Sequence, residues 1–352
     1  MTGPVPGPSN SLVDVPGLRV GHVTLRGDGY LTGTTVVLAP PAGVVAGVDV
    51  RGNAPGTRET DLLEPRRMVE RVHALTLSGG SAYGLAAADG VMRGLAADRV
   101  GFPLGDEPDH VVPIVPAAVV FDLNRGGRFD ARPDAATGLA AYRAAAGADG
   151  GGPVPLGAVG AGTGAAVGGL KGGIGSASAV LAGGAVVAAL VVLNAAGSPA
   201  DPRTGELYGA RFGLAGEFDG LRTPTAAEVA AAAEAGLPRA GVEGPLRATT
   251  LAVLATDLTL TKAQCQLLAG MGAGGLARAV RPVHTMVDGD LTFGVSTCAR
   301  PTPEQPALHE LLAQSADCVS RAVVRAALAV TGVRTDSGHW PSYAELFPSA
   351  LG

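Results

Sequence analysis

The stretch from Gly157 to Asn194, GAVGAGTGAAVGGLKGGIGSASAVLAGGAVVAALVVLN, constrains this chain more than any other. It is too apolar to lie against water, and from Ile174 onward Gly-Gly and Ser interrupt it. That pattern fits two or three adjacent buried strands better than a membrane helix. Its β-branched tail, AVVAALVVLN, is the clearest of them. Buried strands need cover, and the composition supplies finely grained material for it. The 352 residues include 54 Gly and are 47% hydrophobic, but only 4% are aromatic. Cores of Ala, Val and Leu are built from layered sheets and helices in close approach.

Around this stretch the periodicity alternates. LRVGHVTL, TGTTVVLA and GVVAGVDVRG read as hairpin strands. Glu64 to His73 reads as a helix with Pro65 in its first turn, and Ser81 to Ala97 as a helix capped by Ser81. PIVPAAVVFDL is a buried strand and Pro133 to Ala146 a helix. Ala195 to Leu246 has the composition of a surface excursion, with one short helix near Ala226 to Ala235. Order then resumes with the strand TTLAVLATDL, a helix over Lys262 to Val280, the strand DLTFGVST and a long helix over Pro306 to Val330. Strands and helices in mixed order, with hairpins, predict an α+β sandwich rather than a doubly wound sheet.

Several functional classes are disfavoured. A net charge of −5 supplies no basic stripe for nucleic acid. Cys265, Cys298 and Cys318 lie far apart and form no CxxC pair, so neither a disulfide framework nor a metal cage is expected. The first residues lack a basic and then apolar leader pattern, which points to a soluble cytoplasmic protein. Gly160-Ala-Gly162-Thr-Gly164-Ala165 matches a dinucleotide loop only loosely, with no acidic residue at the right distance, so no cofactor is expected. No GxSxG or HExxH is present. Of 26 basic residues only Lys171 and Lys262 are lysines, so a Lys inside GGLKGG stands out.

The chemistry-bearing residues cluster late in the chain. Thr249-Thr250 stands where the chain dives into a buried strand. Either β-branched Thr merely starts a strand, or Thr249 is an N-terminal nucleophile. Cleavage before it would place a hydroxyl and an α-amine of pKa ~7.7–8 on one residue, supplying the base that no His provides. Asp288-Gly289-Asp290 reads either as a hairpin turn or as paired carboxylates that orient a nucleophile. Asn194, closing VVLNAAG, is a turn former or an oxyanion donor.

Taken together and in this order, VDVRG near Arg51, LSGGSAYGL around Tyr83, AAVVFDL, VVLNAAG, TTLAVLATD and PVHTMVDGDLTFGVST resemble the L-aminopeptidase/D-esterase family. That family includes β-peptidyl aminopeptidases and 6-aminohexanoate-oligomer hydrolases, and the likeness runs from about Asp14 to Val330. It implies an αββα sandwich of the N-terminal-nucleophile type, one domain over residues 1–352. The precursor would cut itself between Ala248 and Thr249 into residues 1–248 and 249–352, leaving Thr249 as nucleophile. The resemblance assigns the oxyanion to Asn194, positioning of nucleophile or substrate to Lys171 and Tyr83, and orientation of Thr249 to Asp288 and Asp290. It sides with the Thr/Asp branch rather than the Ser branch. Ala248 departs from the Asn or Gly of those branches, which accept left-handed backbone more readily by ~1 kcal/mol or more. The implied activity is hydrolysis of short peptides or aliphatic amide oligomers by a homo-oligomer of four or more subunits. The alternatives are an ornithine acetyltransferase-like acyl transferase and an uncleaved, non-catalytic binding relative.

Overall fold

The computed structural model describes residues 3–238 and 248–352. Its main strands, in chain order, are β1 (Arg19–Gly27), β2 (Tyr30–Leu38), β3 (Val44–Val50), β4 (Thr57–Arg58), β5 (Arg71–Val72) and β6 (Ala74–Ser78). They continue as β7 (Ala117–Val119), β8 (Ile174–Val180), β9 (Val186–Val192), β10 (Leu251–Leu258) and β11 (Leu291–Arg300). One sheet runs β1-β2-β6-β7-β4, the other β8-β9-β10-β11-β3-β5. The helices α1 (Ala87–Ala97) and α2 (Ala135–Ala146) cover the first sheet, and α4 (Lys262–Ala279) and α5 (Gln305–Leu328) cover the second; α3 (Ala226–Glu234) lies in the connection before β10.

Alternation along the strands explains why four layers form. In β10, Leu251, Val253 and Ala255 face the core between the sheets, while Ala252 and Leu254 face the helices α4 and α5. The same division separates Ala188, Leu190 and Val192 of β9 from Val187, Ala189 and Val191. In the other sheet, Val37 and Leu75 point inward, and Val36, Leu38 and Ala74 meet α1 and α2. A strand apolar on both faces is stable only with cover on both, and three stacked cores result. The fold is the αββα sandwich that the resemblance implies. Small residues let the layers close up: a Cβ on Gly294 of β11 would lie 2.1 Å from the Cys265 carbonyl oxygen of α4. Helix α4 starts where the Thr261 hydroxyl accepts the Gln264 N–H at 3.2 Å.

Most expected elements are present, with instructive exceptions. Glu64 to His73 forms no helix; it wraps around Lys262, whose ammonium takes the carbonyls of Leu62, Arg67 and Val69 at 3.0–3.1 Å. Those carbonyls face the cation instead of a helical ladder. Ser81 caps nothing: it has φ +52° and opens a 3-10 turn that runs into α1. The supposed surface excursion is partly interior, since Ser198, Ala200, Leu207 and Ala232 are buried. The end of that segment lies outside the described residues.

Register brings the late motifs to one end of the six-stranded sheet. β10 and β11 are parallel neighbours with Leu251 beside Leu291, so the residues preceding each strand also lie side by side. β9 runs antiparallel to β10 with Val192 beside Leu251, which brings Asn194 to Thr249. β3 ends beside the same point, with Val50 opposite Leu291.

Candidate active site

Ala248 pairs with Asp288 in a parallel bridge, and Gly289 N–H donates to the Ala248 carbonyl at 2.9 Å. The hairpin-turn reading of Asp288-Gly289-Asp290 is therefore wrong: the segment leads into a strand that runs parallel to β10 and is reached through α4. The Thr249 hydroxyl donates to the same Ala248 oxygen at 2.6 Å, and the Thr249 N–H donates to the Asn194 carbonyl at 2.7 Å. Thr249 is buried. Gly289 has to be glycine beside it, because a Cβ there would lie 2.6 Å from the Thr249 hydroxyl oxygen.

Both carboxylates are wholly buried and satisfied mainly by donors from nearby loops. Asp290 Oδ1 accepts the Thr250 N–H at 2.6 Å, and Oδ2 meets the N–H and Nδ1 of His284 at 3.1 and 2.9 Å. Asp288 accepts the Ala196 N–H at 3.1 Å through one oxygen. Its other oxygen takes the N–H and hydroxyl of Thr285 at 2.9 and 2.5 Å. Burial, with the charge of Asp290 beside it, raises the Asp288 pKa above the ordinary carboxylate range, against the lowering effect of the Thr285 bonds. For His284, burial alone would lower the pKa, but the Asp290 contact outweighs it and the net shift is upward.

A cationic cluster lies on the other side of Asn194. Asn194 Oδ1 accepts from Arg125 at 2.7 Å and from the Ala166 N–H at 2.9 Å, and Nδ2 reaches the Phe121 carbonyl at 3.4 Å. Lys171 is buried and donates to the carbonyls of Gly162, Ala165 and Gly172 at 3.1, 2.9 and 2.5 Å. The peptide joining Ala165 to Ala166 thus links the Lys171 ammonium to the Asn194 side chain. Burial, then the nearby charge of Arg125, pushes the Lys171 pKa well down. Burial brings Arg125 to about 10, opposed by Asp122. Asp122, itself raised by burial, accepts the Gly80 N–H at 2.6 Å. It thereby anchors the loop that carries Tyr83. Tyr83 is half-exposed, with Arg132 stacked 3.7 Å over its ring and Phe129 edge-on at 6.5 Å.

The structure thus gathers Ala248, Thr249, Asn194, Asp288 and Asp290 at one point. Lys171 reaches Asn194 through a peptide group, and Tyr83 stands further out on a loop tied to Asp122. Arg125 joins the cluster with no motif of its own in the sequence, and His284 joins it from within PVHTMVDGDLTFGVST. A Lys inside a glycine run signalled one buried cation; nothing comparable marked the arginine. Among the described residues, no group of three or more His, Cys, Asp or Glu side chains is arranged to hold a metal ion, and no helix is long and apolar enough to cross a membrane.

Residues 10–340 match the family model described as Peptidase family S58. The chain belongs to peptidase family S58. This S58 member is accordingly a hydrolase of amide bonds. An uncharacterized aminopeptidase of Mycobacterium tuberculosis (strain ATCC 25618 / H37Rv) is 46% identical, covering 97% of this chain and 99% of its own length. A 6-aminohexanoate-oligomer endohydrolase of Kocuria sp. (strain KY2) is 30% identical over 85% of this chain and 82% of its own. Among solved structures, a Burkholderia sp. beta-aminopeptidase superposes with a TM-score of 0.72 at 24% identity, covering 100% of this chain and 95% of that one. The L-aminopeptidase D-Ala-esterase/amidase of Ochrobactrum anthropi, described as a variant of the Ntn hydrolase fold, gives 0.69 at 23%, with 98% and 94% covered. These likenesses to solved structures speak for the fold of the S58 chain, which agrees with the layers described above.

Proposed function

We propose that this S58 member is a self-processing N-terminal-threonine amidohydrolase acting on short peptides or aliphatic amide oligomers. The observation that carries the reading is the surroundings of the Ala248–Thr249 peptide. Its carbonyl oxygen is met by the Thr249 hydroxyl at 2.6 Å and the Gly289 N–H at 2.9 Å, and its N–H is held by the Asn194 carbonyl at 2.7 Å. In processing, Thr249 Oγ adds to the Ala248 carbonyl carbon, and the Gly289 N–H stabilises the oxygen as charge develops there. The C–N bond then breaks, the nitrogen takes the proton that the Thr249 hydroxyl gave up, and water hydrolyses the ester to leave Ala248 as a carboxylate and Thr249 with a free amine.

In turnover, the freed amine takes the proton from the Thr249 hydroxyl as that oxygen attacks a substrate carbonyl. The same amine returns the proton to the leaving nitrogen, and water hydrolyses the acyl-enzyme. Asp288 and Asp290 fix the strand mouths on which Thr249 and Thr250 stand. Asn194, held by Arg125 and the Ala166 N–H, is the residue we assign to the oxyanion. The substrate class draws on the relatives named for aminopeptidase and oligomer endohydrolase activity.

The decisive test is the intact mass of the purified protein under denaturing conditions. Two pieces, residues 1–248 and 249–352, support the reading when the smaller begins at Thr249. One uncut 352-residue chain after long incubation overturns it.

A further inference from the structure

His284 is held in left-handed backbone, φ +55°, at the edge of the acidic pair. Non-glycine residues keep that conformation only where surrounding contacts impose it. Here the imposing contact is Asp290, whose Oδ2 meets both the main-chain N–H and Nδ1 of His284. The far ring nitrogen, Nε2, faces the Ala273 carbonyl of α4 at 3.4 Å. Both ring nitrogens therefore look at acceptors, and only the imidazolium fills both positions with donors. The other oxygen of Asp290 pins the Thr250 N–H at 2.6 Å. The histidine thus reaches the chain next to Thr249 through a single buried carboxylate. The other charged groups acting at this point are Asp288, which senses Asp290, and Arg51, which bears on His284.

We propose that His284 is a positioning residue for the Thr249 reaction: as an imidazolium it holds the Asp290 carboxylate in place and balances its charge beside the Thr249 amine. The proposal rests on the Thr249 reading. An isolated buried anion close to an amine raises its proton affinity, and a paired one does so far less. With His284 charged, the amine stays free to accept a proton near neutral pH. Without it, the unpaired carboxylate makes the amine hold its proton to higher pH.

The test uses the full chain and the variants His284→Asn, His284→Ala and Asp290→Asn. Asn tolerates left-handed backbone and offers a neutral donor to Asp290, so it removes the charge while sparing the fold. First, the His284 imidazole is titrated by NMR, which needs no assumption about Thr249. We expect its pKa to lie above the ordinary ~6.5 and to fall in Asp290→Asn; no change on that substitution overturns the pairing. Second, the pH profile of kcat/KM is measured with an L-aminoacyl p-nitroanilide. In His284→Asn the acid limb should move upward by about one pH unit, with KM unchanged within about twofold. An unmoved profile accompanied only by a lowered Tm in both His284 variants means a structural plug and overturns the proposal. A wild-type chain that remains uncut overturns the Thr249 reading and this role with it, whereas a cut chain with an unmoved profile overturns this role alone.

Discussion

Two buried polar clusters of opposite sign flank Thr249, and they are built differently. On the acidic side, Asp288 and Asp290 take main-chain N–H groups from Ala196, Thr285, His284 and Thr250. One of those donors is the residue next to Thr249 itself. On the cationic side, Lys171 and Arg125 donate to main-chain carbonyls and to Asn194, and go no further. Each cluster satisfies its charge with backbone dipoles, which is how a buried ion avoids the full cost of leaving water. The acidic side therefore acts on the position of the Thr249–Thr250 backbone, and the cationic side on the orientation of the Asn194 side chain. Disturbing the first should affect processing and turnover together. Disturbing the second should spare processing and weaken turnover.

The largest effect falls on the residue between the clusters. Thr249→Ala removes the hydroxyl that meets the Ala248 carbonyl, so we expect an uncut 352-residue chain and turnover lowered about ten-thousand-fold or more. Intact mass and amidase assays read both losses, and retained activity would sink the mechanism. Asp290→Asn comes next. It keeps the shape but weakens the hold on the Thr250 N–H, and processing and kcat should fall together by about a hundred- to a thousandfold. A melting scan decides whether the residue acts on the reaction or only on the fold: equal loss of stability and activity would make Asp290 a structural residue.

The cationic side should break more gently. Arg125→Lys keeps a charge but loses the geometry with which the guanidinium serves both the Gly164 carbonyl and Asn194. Cleavage at Thr249 should proceed normally while kcat falls about ten- to a hundredfold, as expected when a neighbour of a reacting group shifts. Loss of processing in this variant would abolish the distinction between the two sides. Lys171→Met leaves three buried carbonyls without their donor and should lower stability by about 2–4 kcal/mol, measurable by denaturant titration.

The two sides also differ in how far the sequence announces them. The layer order was legible because apolar runs such as AVVAALVVLN and TTLAVLATDL alternate between two covered faces, and periodicity reports that directly. Thr249, Asp288 and Asp290 were legible as polar residues at the mouths of such strands. What was hidden depends on register and long-range capture. That Gly289 donates to Ala248 follows from the parallel pairing of β10 and β11, which no local pattern encodes. The hairpin reading of Asp-Gly competed on equal terms because no local pattern shows that Asp288 pairs in parallel with Ala248. The false helix at Glu64 to His73 failed for a related reason, since the ammonium that captures its carbonyls belongs to Lys262, some two hundred residues away. Arg125 was invisible because arginine is this chain's ordinary basic residue, so its burial leaves no compositional trace.

The smallest effect is one of pH, and it sharpens the comparison because the acidic side contains a histidine whose pKa is raised and the cationic side a lysine whose pKa is lowered. Asp290 raises the folded-state pKa of His284 above its unfolded value near 6.5, despite the opposing effect of burial. A group shifted in that direction stabilises the fold fully below the unfolded pKa, and the contribution fades as pH rises through the folded one. The stability difference between the wild-type chain and His284→Asn should therefore be widest between about pH 5 and 6.5 and narrow above it. The Lys171→Met gap should not narrow in this way: burial and Arg125 lower the Lys171 pKa below its unfolded value, so the contribution of Lys171 to stability can only grow as pH rises. Denaturant titrations of both variants over this range make the comparison. A gap for His284→Asn that stays flat with pH would mean that the imidazole is not charged in the fold, and the acidic side would then hold its carboxylates on backbone donors alone.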